Sequence, residues 1–210
     1  MTLGQRPSLY LCTPVREDLE RFVTACVRGG VDVVQLRDKV HDDATLLDAA
    51  TRLATLCRTL GVPFVVNDRC DLALLAGADG VHVGQDDVGV ERCRELLGDE
   101  AIVGLSTHDE RQLARAVLQP VTYLSAGPVE ATPTKPGRPG TGLDYVAAAV
   151  TASPVPVFVT GGVSVATLPA LTGAGVRHVV VVRALTESPD PERAAGELKA
   201  ALLAGAGTRV

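Results

Sequence analysis

The chain has 210 residues, enough for one domain with a sizeable core. Its hydrophobic content of 46% suits a buried parallel sheet and excludes a disordered chain. A formal charge of -5, with three Tyr, three Phe and no Trp, excludes a basic, stacking nucleic-acid binder. Apolar runs all break before the roughly 18 residues of a membrane helix, so no membrane partner is expected. The opening MTLGQRPSLY has no apolar signal-peptide core. Five Cys stand singly with no CxxC pair, which fits buried, reduced thiols and a cytoplasmic location.

Strands and helices alternate along the whole chain. The spacing predicts a strand over Ser8–Cys12 and a helix over Asp18–Arg28 that leaves through Gly29-Gly30. Asp32–Leu36 is strand two, followed by Arg37-Asp38-Lys39. Asp42–Leu60 is the longest helical pattern, with Leu46, Leu47, Ala50, Leu53, Ala54 and Leu56 on one side and Gly61 as its stop. Pro63–Val66 is strand three, with a short helix over 69–76. Asp79–Val83 is strand four, and Val88–Leu97 the next helix. Ala101–Gly104 is strand five, and the run Ser106-Thr107-His108-Asp109 carries N-cap chemistry for a helix over 109–118. Val121–Ser125 is strand six. The segment 127–142, GPVEATPTKPGRPGTG, is too rich in Pro, Gly and Thr for a regular element. A loop of that length inside a compact domain usually has a function. A helix over 143–151, strand seven over Val155–Val159, a Gly161-Gly162 turn and a helix over 165–172 follow. His178–Val182 is strand eight, and Pro191–Leu203 closes the chain.

Eight such units with β-branched strands favour a single closed (β/α)8 TIM barrel over an open doubly wound sheet, which would want a dinucleotide fingerprint. The expected domain spans 1–210, with frayed ends at about 1–7 and 204–210. Recurrent punctuation, GGVDVV, AGADGVHV and GAGVRHVV, marks the units as repeats.

Barrel sites are assembled at the C-terminal ends of the strands. Here those ends carry QLRDK (35–39), ND (67–68), GQDD (84–87) and Gly104-Leu105-Ser106, and the loop adds TPTK (132–135). Asp68 and Asp87 are the best pair for Mg2+, which takes oxygen ligands and sits between carboxylates and phosphates. Either could instead cap the helix that follows it, and Asp86 competes with Asp87 on spacing. Arg37, Lys39 and Lys135 form a cationic set suited to phosphate oxygens. Gly161-Gly162 can turn backbone N–H groups toward a phosphate, although a tight turn needs the same residues. Four His, none in HxxxH or HxH spacing, argue against zinc. No GxSxG elbow and no P-loop are present.

Taken together, QLRDK (35–39), VVND (65–68), GVHVGQDD (80–87), GLSTH (104–108), GPVEATPTK (127–135) and FVTGGV (158–163) resemble the thiamine phosphate synthase family, in order along nearly the whole chain. The resemblance implies a (β/α)8 barrel. It implies a transferase of thiamine biosynthesis that joins 4-amino-5-hydroxymethyl-2-methylpyrimidine diphosphate to 4-methyl-5-(2-phosphoethyl)-thiazole and releases pyrophosphate. It places Gln35, Leu36, Arg37, Asp38, Lys39, Asn67, Ser106 and Lys135 on the pyrimidine diphosphate. It places Thr132, Pro133, Thr134, Gly162, Val182 and Arg183 on the thiazole phosphate, and Mg2+ on Asp68 and Asp87. Arg183 departs from the family's usual Ser. Its side chain is expected to turn outward to a carboxylate such as Glu187.

The competing readings are a thiazole tautomerase of the same fold family, a sugar-phosphate isomerase barrel, and a regulatory barrel that binds thiazole or thiamine phosphate without turnover. The first lacks the GQxD cluster and intact TPTK pattern. The second leaves two carboxylates beside a basic triad unexplained, and the third would have lost Asp68, Asp87 or Lys135. Partners are thus small-molecule substrates, with no nucleic acid and no membrane. Any helical face could also pair the chain in a homo-oligomer.

Overall fold

A computed structural model describes residue 3 and residues 6–131 and 139–207. Eight parallel strands close into a barrel in chain order: β1 (Ser8–Thr13), β2 (Val33–Leu36), β3 (Phe64–Asn67), β4 (Gly80–Val83), β5 (Ile102–Thr107), β6 (Tyr123–Ala126), β7 (Val157–Val159) and β8 (His178–Val181). The outer layer comprises α1 (Leu19–Arg28), α2 (Asp43–Leu60), α3 (Cys70–Ala76), α4 (Val90–Leu97), α5 (Glu110–Ala116), α6 (Gly142–Ala152), α7 (Leu168–Gly173), α8 (Arg183–Thr186) and α9 (Pro191–Ala206). The closed (β/α)8 barrel is the fold that the repeating pattern called for. Among the described residues no helix is long and apolar enough to cross a membrane.

Period two divides the strand residues between two cores. Leu9, Leu11, Val34, Leu36, Val81 and Val83 face the helices and join the large outer cluster. Tyr10, Val33, Val65, Ile102, Tyr123 and Phe158 face inward and fill the barrel. Space for those rings comes from glycine. A Cβ on Gly104 would lie 2.2 Å from Tyr123 Cζ, so only Gly fits beside that ring. Above the ring layer the inward positions turn polar: Gln35, His82, Ser106 and Ser125 are all buried. Because the strands are parallel, these positions and all strand exits share one rim.

The helices obey local rules. Asp42 accepts from the Thr45 N–H at 2.8 Å and starts α2, and Gly61 ends it at φ 71°. Asp109, not Ser106, is the N-cap of α5, accepting from the Gln112 N–H at 2.8 Å. Strand β5 therefore runs to Thr107 rather than stopping at Gly104. Ser106 and Thr107 read as cap residues but pair with Ser125 and Ala126 of β6. Helix α7 starts at Leu168, later than expected, because Ser164 and Thr167 bond each other's backbone N–H in a turn ahead of it. Helix α8 is too short to leave a periodic trace, and it begins at Arg183, so the strand ends at Val181. Helix α9 continues to Ala206, beyond the expected Leu203. Gly205 lies so close to Thr172 of α7 that a Cβ there would be 2.3 Å from its Oγ1.

Candidate active site

A cavity of about 740 Å3 opens at the rim. Its floor is the polar layer inside the barrel, and its walls are the turns after the strands. The QLRDK segment splits across it. Gln35 points inward and donates from Nε2 to the Tyr10 hydroxyl at 2.9 Å. Leu36, one residue on, faces the outer core and is 2% exposed. Arg37 lines the cavity, with its N–H bonded to Thr13 O at 2.8 Å. Asp38 turns back instead. It accepts from the N–H groups of Val15 (3.1 Å), Val40 (2.8 Å) and His41 (3.0 Å), and shares a 3.0 Å contact with His41 Nδ1. Burial pushes the Asp38 carboxyl up, but these partners outweigh it and hold it below the usual carboxylate range. Leu36 and Asp38 thus stand outside the cavity wall, as packing and turn residues.

Lys39 reaches across to the next strand exit, where its Nζ lies 3.1 Å from Asp68 Oδ2. Asp68 has φ 62°, the left-handed conformation that Asp tolerates better than most side chains. Its N–H is tied to His82 O at 2.7 Å, which fixes the turn. Asp87 closes the third exit by accepting from the Gly84 N–H at 2.7 Å through Oδ2. Both Asp68 and Asp87 line the cavity, together with Asn67. Asp86 is not among its lining residues. Burial, then a hydrogen bond to Asp87, pushes the Asp68 carboxyl above its ordinary range, against the pull of Lys39. Two carboxylates are therefore held together with one lysine beside them.

On the far side, Gly161 (φ 94°) and Gly162 (φ 72°) form a turn that only glycine makes without strain. The turn also lies close to the loop that leaves β6. A Cβ on Gly162 would stand 2.7 Å from Glu130 Oε2. Gly162, Val182 and Arg183 line the same cavity. Arg183 and Glu187 are one turn apart and both lie in its wall. Thr132, Pro133, Thr134 and Lys135 lie outside the described residues.

Several lining residues escaped the sequence reading. Tyr10, Cys12, Tyr123 and Ser125 sit on inward strand positions and reach the cavity from below. Their signal was the parity of the strand, which puts each on the same face as Gln35 or Ser106. Gln85, from the GQDD run, is not itself a lining residue; its Nε2 donates to Ser106 O at 2.7 Å and ties that turn to β5.

The sequence profile described as thiamine monophosphate synthase matches residues 9–185. The thiamine-phosphate synthase of Mycolicibacterium smegmatis is 46% identical, over 95% of this chain and 94% of its own. That of Thermosynechococcus vestitus is 43% identical over 92% of this chain, which spans only 55% of the relative's length. Among solved structures, a thiamine phosphate pyrophosphorylase from Pyrococcus furiosus superposes with a TM-score of 0.85 at 26% identity, covering 96% of this chain and 98% of that one. Profile, full-length identity and superposition agree with the rim geometry, and the chain belongs to the thiamine monophosphate synthase family.

Proposed function

We propose that the chain condenses 4-amino-5-hydroxymethyl-2-methylpyrimidine diphosphate with 4-methyl-5-(2-phosphoethyl)-thiazole, giving thiamine phosphate and pyrophosphate. The observation that carries the reading is the Lys39–Asp68–Asp87 group at the rim of one cavity large enough for two small substrates. A tautomerase or a non-catalytic barrel has no use for such a group.

The donor set fits Mg2+. Among the described residues there is no cluster of three or more metal-ligating side chains, which is unsuited to a closed zinc or calcium cage. Mg2+ needs only one or two carboxylates and completes its shell with water and substrate phosphate. Burial first, and then Asp87 beside it, raise Asp68, and a divalent cation would offset both. Asp68 and Asp87 would hold it, and its chemistry there is neutralisation of a leaving diphosphate.

The protein's own groups do the rest. Lys39 and Arg37 stand on the diphosphate side and stabilise the charge that grows as the C–O bond breaks. Lys135 is assigned to the same task by resemblance. Gln35, Asn67 and Ser106 hold the pyrimidine diphosphate over the barrel mouth. The Gly161-Gly162 turn and the backbone at Val182 and Arg183 receive the thiazole phosphate across the cavity. The thiazole nitrogen attacks the methylene carbon and carries no proton, so no general base is required. That agrees with a site whose ionisable groups serve charge rather than proton transfer. Five buried free cysteines suit a reducing compartment, and the reading places the enzyme in the cytoplasm.

The test is incubation of the chain with both substrates and Mg2+, following thiamine phosphate and pyrophosphate by mass. Equimolar appearance of both, abolished by a chelator, supports the reading. Aromatisation of a thiazole phosphate without pyrophosphate would assign the tautomerase instead.

A further inference from the structure

Below the rim, five strands contribute to one line of buried hydrogen bonds. Cys12 Sγ donates to Gln35 Oε1 at 3.3 Å, and Gln35 Nε2 donates to the Tyr10 hydroxyl at 2.9 Å. The Tyr10 and Tyr123 hydroxyls are 2.9 Å apart. Tyr123 OH lies 2.9 Å from His82 Nδ1, and His82 Nε2 lies 2.8 Å from Ser106 Oγ. Tyr10, Tyr123, His82, Gln35 and Ser106 are all at most 8% exposed. Ser106 ends the line at the cavity.

The line has a direction, and the direction follows from counting protons. An amide N–H has only one role, so the Tyr10 oxygen is an acceptor for Gln35. Tyr10 has one proton of its own, and Tyr123 is the neighbour placed to take it. Tyr123 then directs its proton to His82 Nδ1. The reverse order would leave a buried phenol proton with no acceptor, which folded proteins avoid. An imidazole that accepts at Nδ1 carries its proton on Nε2, and that N–H donates to Ser106 Oγ. The Ser106 oxygen is thereby engaged, and its own proton is left to face the cavity.

The rings are held for this purpose. His82 stacks on Tyr123 with an interplanar angle of 22°, and Phe158 sets its ring edge-on against both tyrosines, with centroids 5.3 and 5.1 Å away. Burial pushes both phenols up in pKa, so both keep their protons to donate.

We propose that Tyr10, Tyr123 and His82 are positioning residues of a directional relay, which fixes His82 as the Nε2–H tautomer and presents Ser106 as a hydrogen-bond donor to an acceptor atom of the pyrimidine diphosphate. The last step rests on the condensation reading, whereas the tautomer does not. The relay also gives the site a preference. A substrate analogue with an apolar group in place of that acceptor leaves the Ser106 proton unpaired and binds less tightly.

The experiment uses the full chain labelled with 15N at histidine, in mildly alkaline solution without substrates. The His82 signals are assigned by their loss in His82→Gln. The expected spectrum shows a protonated Nε2 and a bare Nδ1. Tyr123→Phe, which removes the donor to Nδ1, shifts the ring toward a mixture of tautomers, and Tyr10→Phe does so more weakly. A protonated Nδ1 in the unsubstituted chain, or an unchanged spectrum in both variants, overturns the relay. Kinetics then test its purpose. Tyr123→Phe raises KM for the pyrimidine diphosphate about fivefold and leaves KM for the thiazole phosphate unchanged. Added to Ser106→Ala, it causes no further loss, because the two act through one bond. Additive losses overturn the coupling to Ser106. Should the chain turn over neither substrate, the condensation reading falls while the spectra still decide the relay.

Discussion

The rim and the floor of this barrel follow opposite rules. At the rim, carboxylates are crowded: Asp68 is held at φ 62° beside Asp87, with a carboxyl pushed above its ordinary range. At the floor, Phe158 packs on His178 with centroids 5.1 Å apart, and one ion pair, Lys199 Nζ to Asp32 Oδ2 at 2.6 Å, joins α9 to the start of β2. The rim tolerates strain and like charge where the proposed cation and phosphates would bind. The floor buries apolar area and uses charge to fasten a helix and to hold strand starts, as Asp79 does by accepting from the Phe64 N–H at 2.8 Å. Stability and chemistry therefore sit at different ends of the same strands, and substitutions should separate them.

The largest loss of stability is expected at Phe158, which is fully buried among Tyr10, Tyr123 and His178 and also braces the rings of the relay. Phe158→Ala removes a ring from a packed layer and should cost about 3–5 kcal/mol of unfolding free energy. Denaturant titration measures this directly. A loss below about 1 kcal/mol would mean that the inner layer does not carry the fold.

The rim should answer in the opposite way. Asp68→Asn and Asp87→Asn are each expected to lower kcat by about 100- to 1,000-fold, comparable to removing one preorganised charge partner from a transition state. Asn accepts the left-handed backbone of residue 68 and relieves the repulsion with Asp87, so the thermal midpoint of Asp68→Asn should hold or rise. A drop in midpoint like that of Phe158→Ala would break the comparison, because Asp68 would then be structural.

Much of this division could be read in the sequence, and the rest could not for identifiable reasons. The barrel was legible because each strand is a short β-branched run that ends in charge or glycine. Asp68, Asp87 and Lys39 were legible as charges at strand exits. Leu36 and Asp38 were drawn into the site by the motif QLRDK, although the pleat sends Leu36 outward and the turn takes Asp38 to backbone N–H groups. Tyr10 and Tyr123 lie on separate strands, and nothing local announces that their hydroxyls meet. Ser106 looked like a helix cap because cap chemistry and strand-end chemistry use the same residue types. Helix α8 is four residues long, below the reach of any periodicity.

His178 makes the stability of the floor depend on pH. Its Nδ1 is buried without a hydrogen-bond partner. Burial lowers its pKa from 6.5 to about 4, with Arg177 and Lys199 pushing the same way and Asp32 opposing. The unfolded chain thus binds a proton more readily than the folded one. The stability contribution is complete above pH 6.5 and is lost as pH falls through about 4, to a total of about 3 kcal/mol. His178→Phe should flatten that part of the stability curve and leave the neutral-pH activity unchanged. An identical acid limb in the variant would assign the acid loss to other groups.

The smallest effect is expected at Lys199, where the floor does use charge. Its ammonium bonds both Asp32 Oδ2 and Pro7 O, and Asp32 also accepts from the Leu9 N–H at 2.6 Å. The lysine stem is part of the joint as well. Gly30, at φ 109°, leaves room for it, and a Cβ there would come within 3.0 Å of Lys199 Cγ. Two substitutions separate stem from charge. Lys199→Met keeps the stem and removes the ammonium. Because the pair is partly exposed, at 19% and 39%, the loss should be about 1 kcal/mol rather than that of a buried pair. Lys199→Ala also strips the stem from α9 and should cost a further ~1 kcal/mol. Neither should alter kcat/KM, since the joint lies at the opposite end of the strands from the cavity. If Lys199→Met instead lowered kcat/KM tenfold with its unfolding free energy unchanged, the floor would be communicating with the rim, and the division between the two ends would fail where the barrel was expected to keep them most separate.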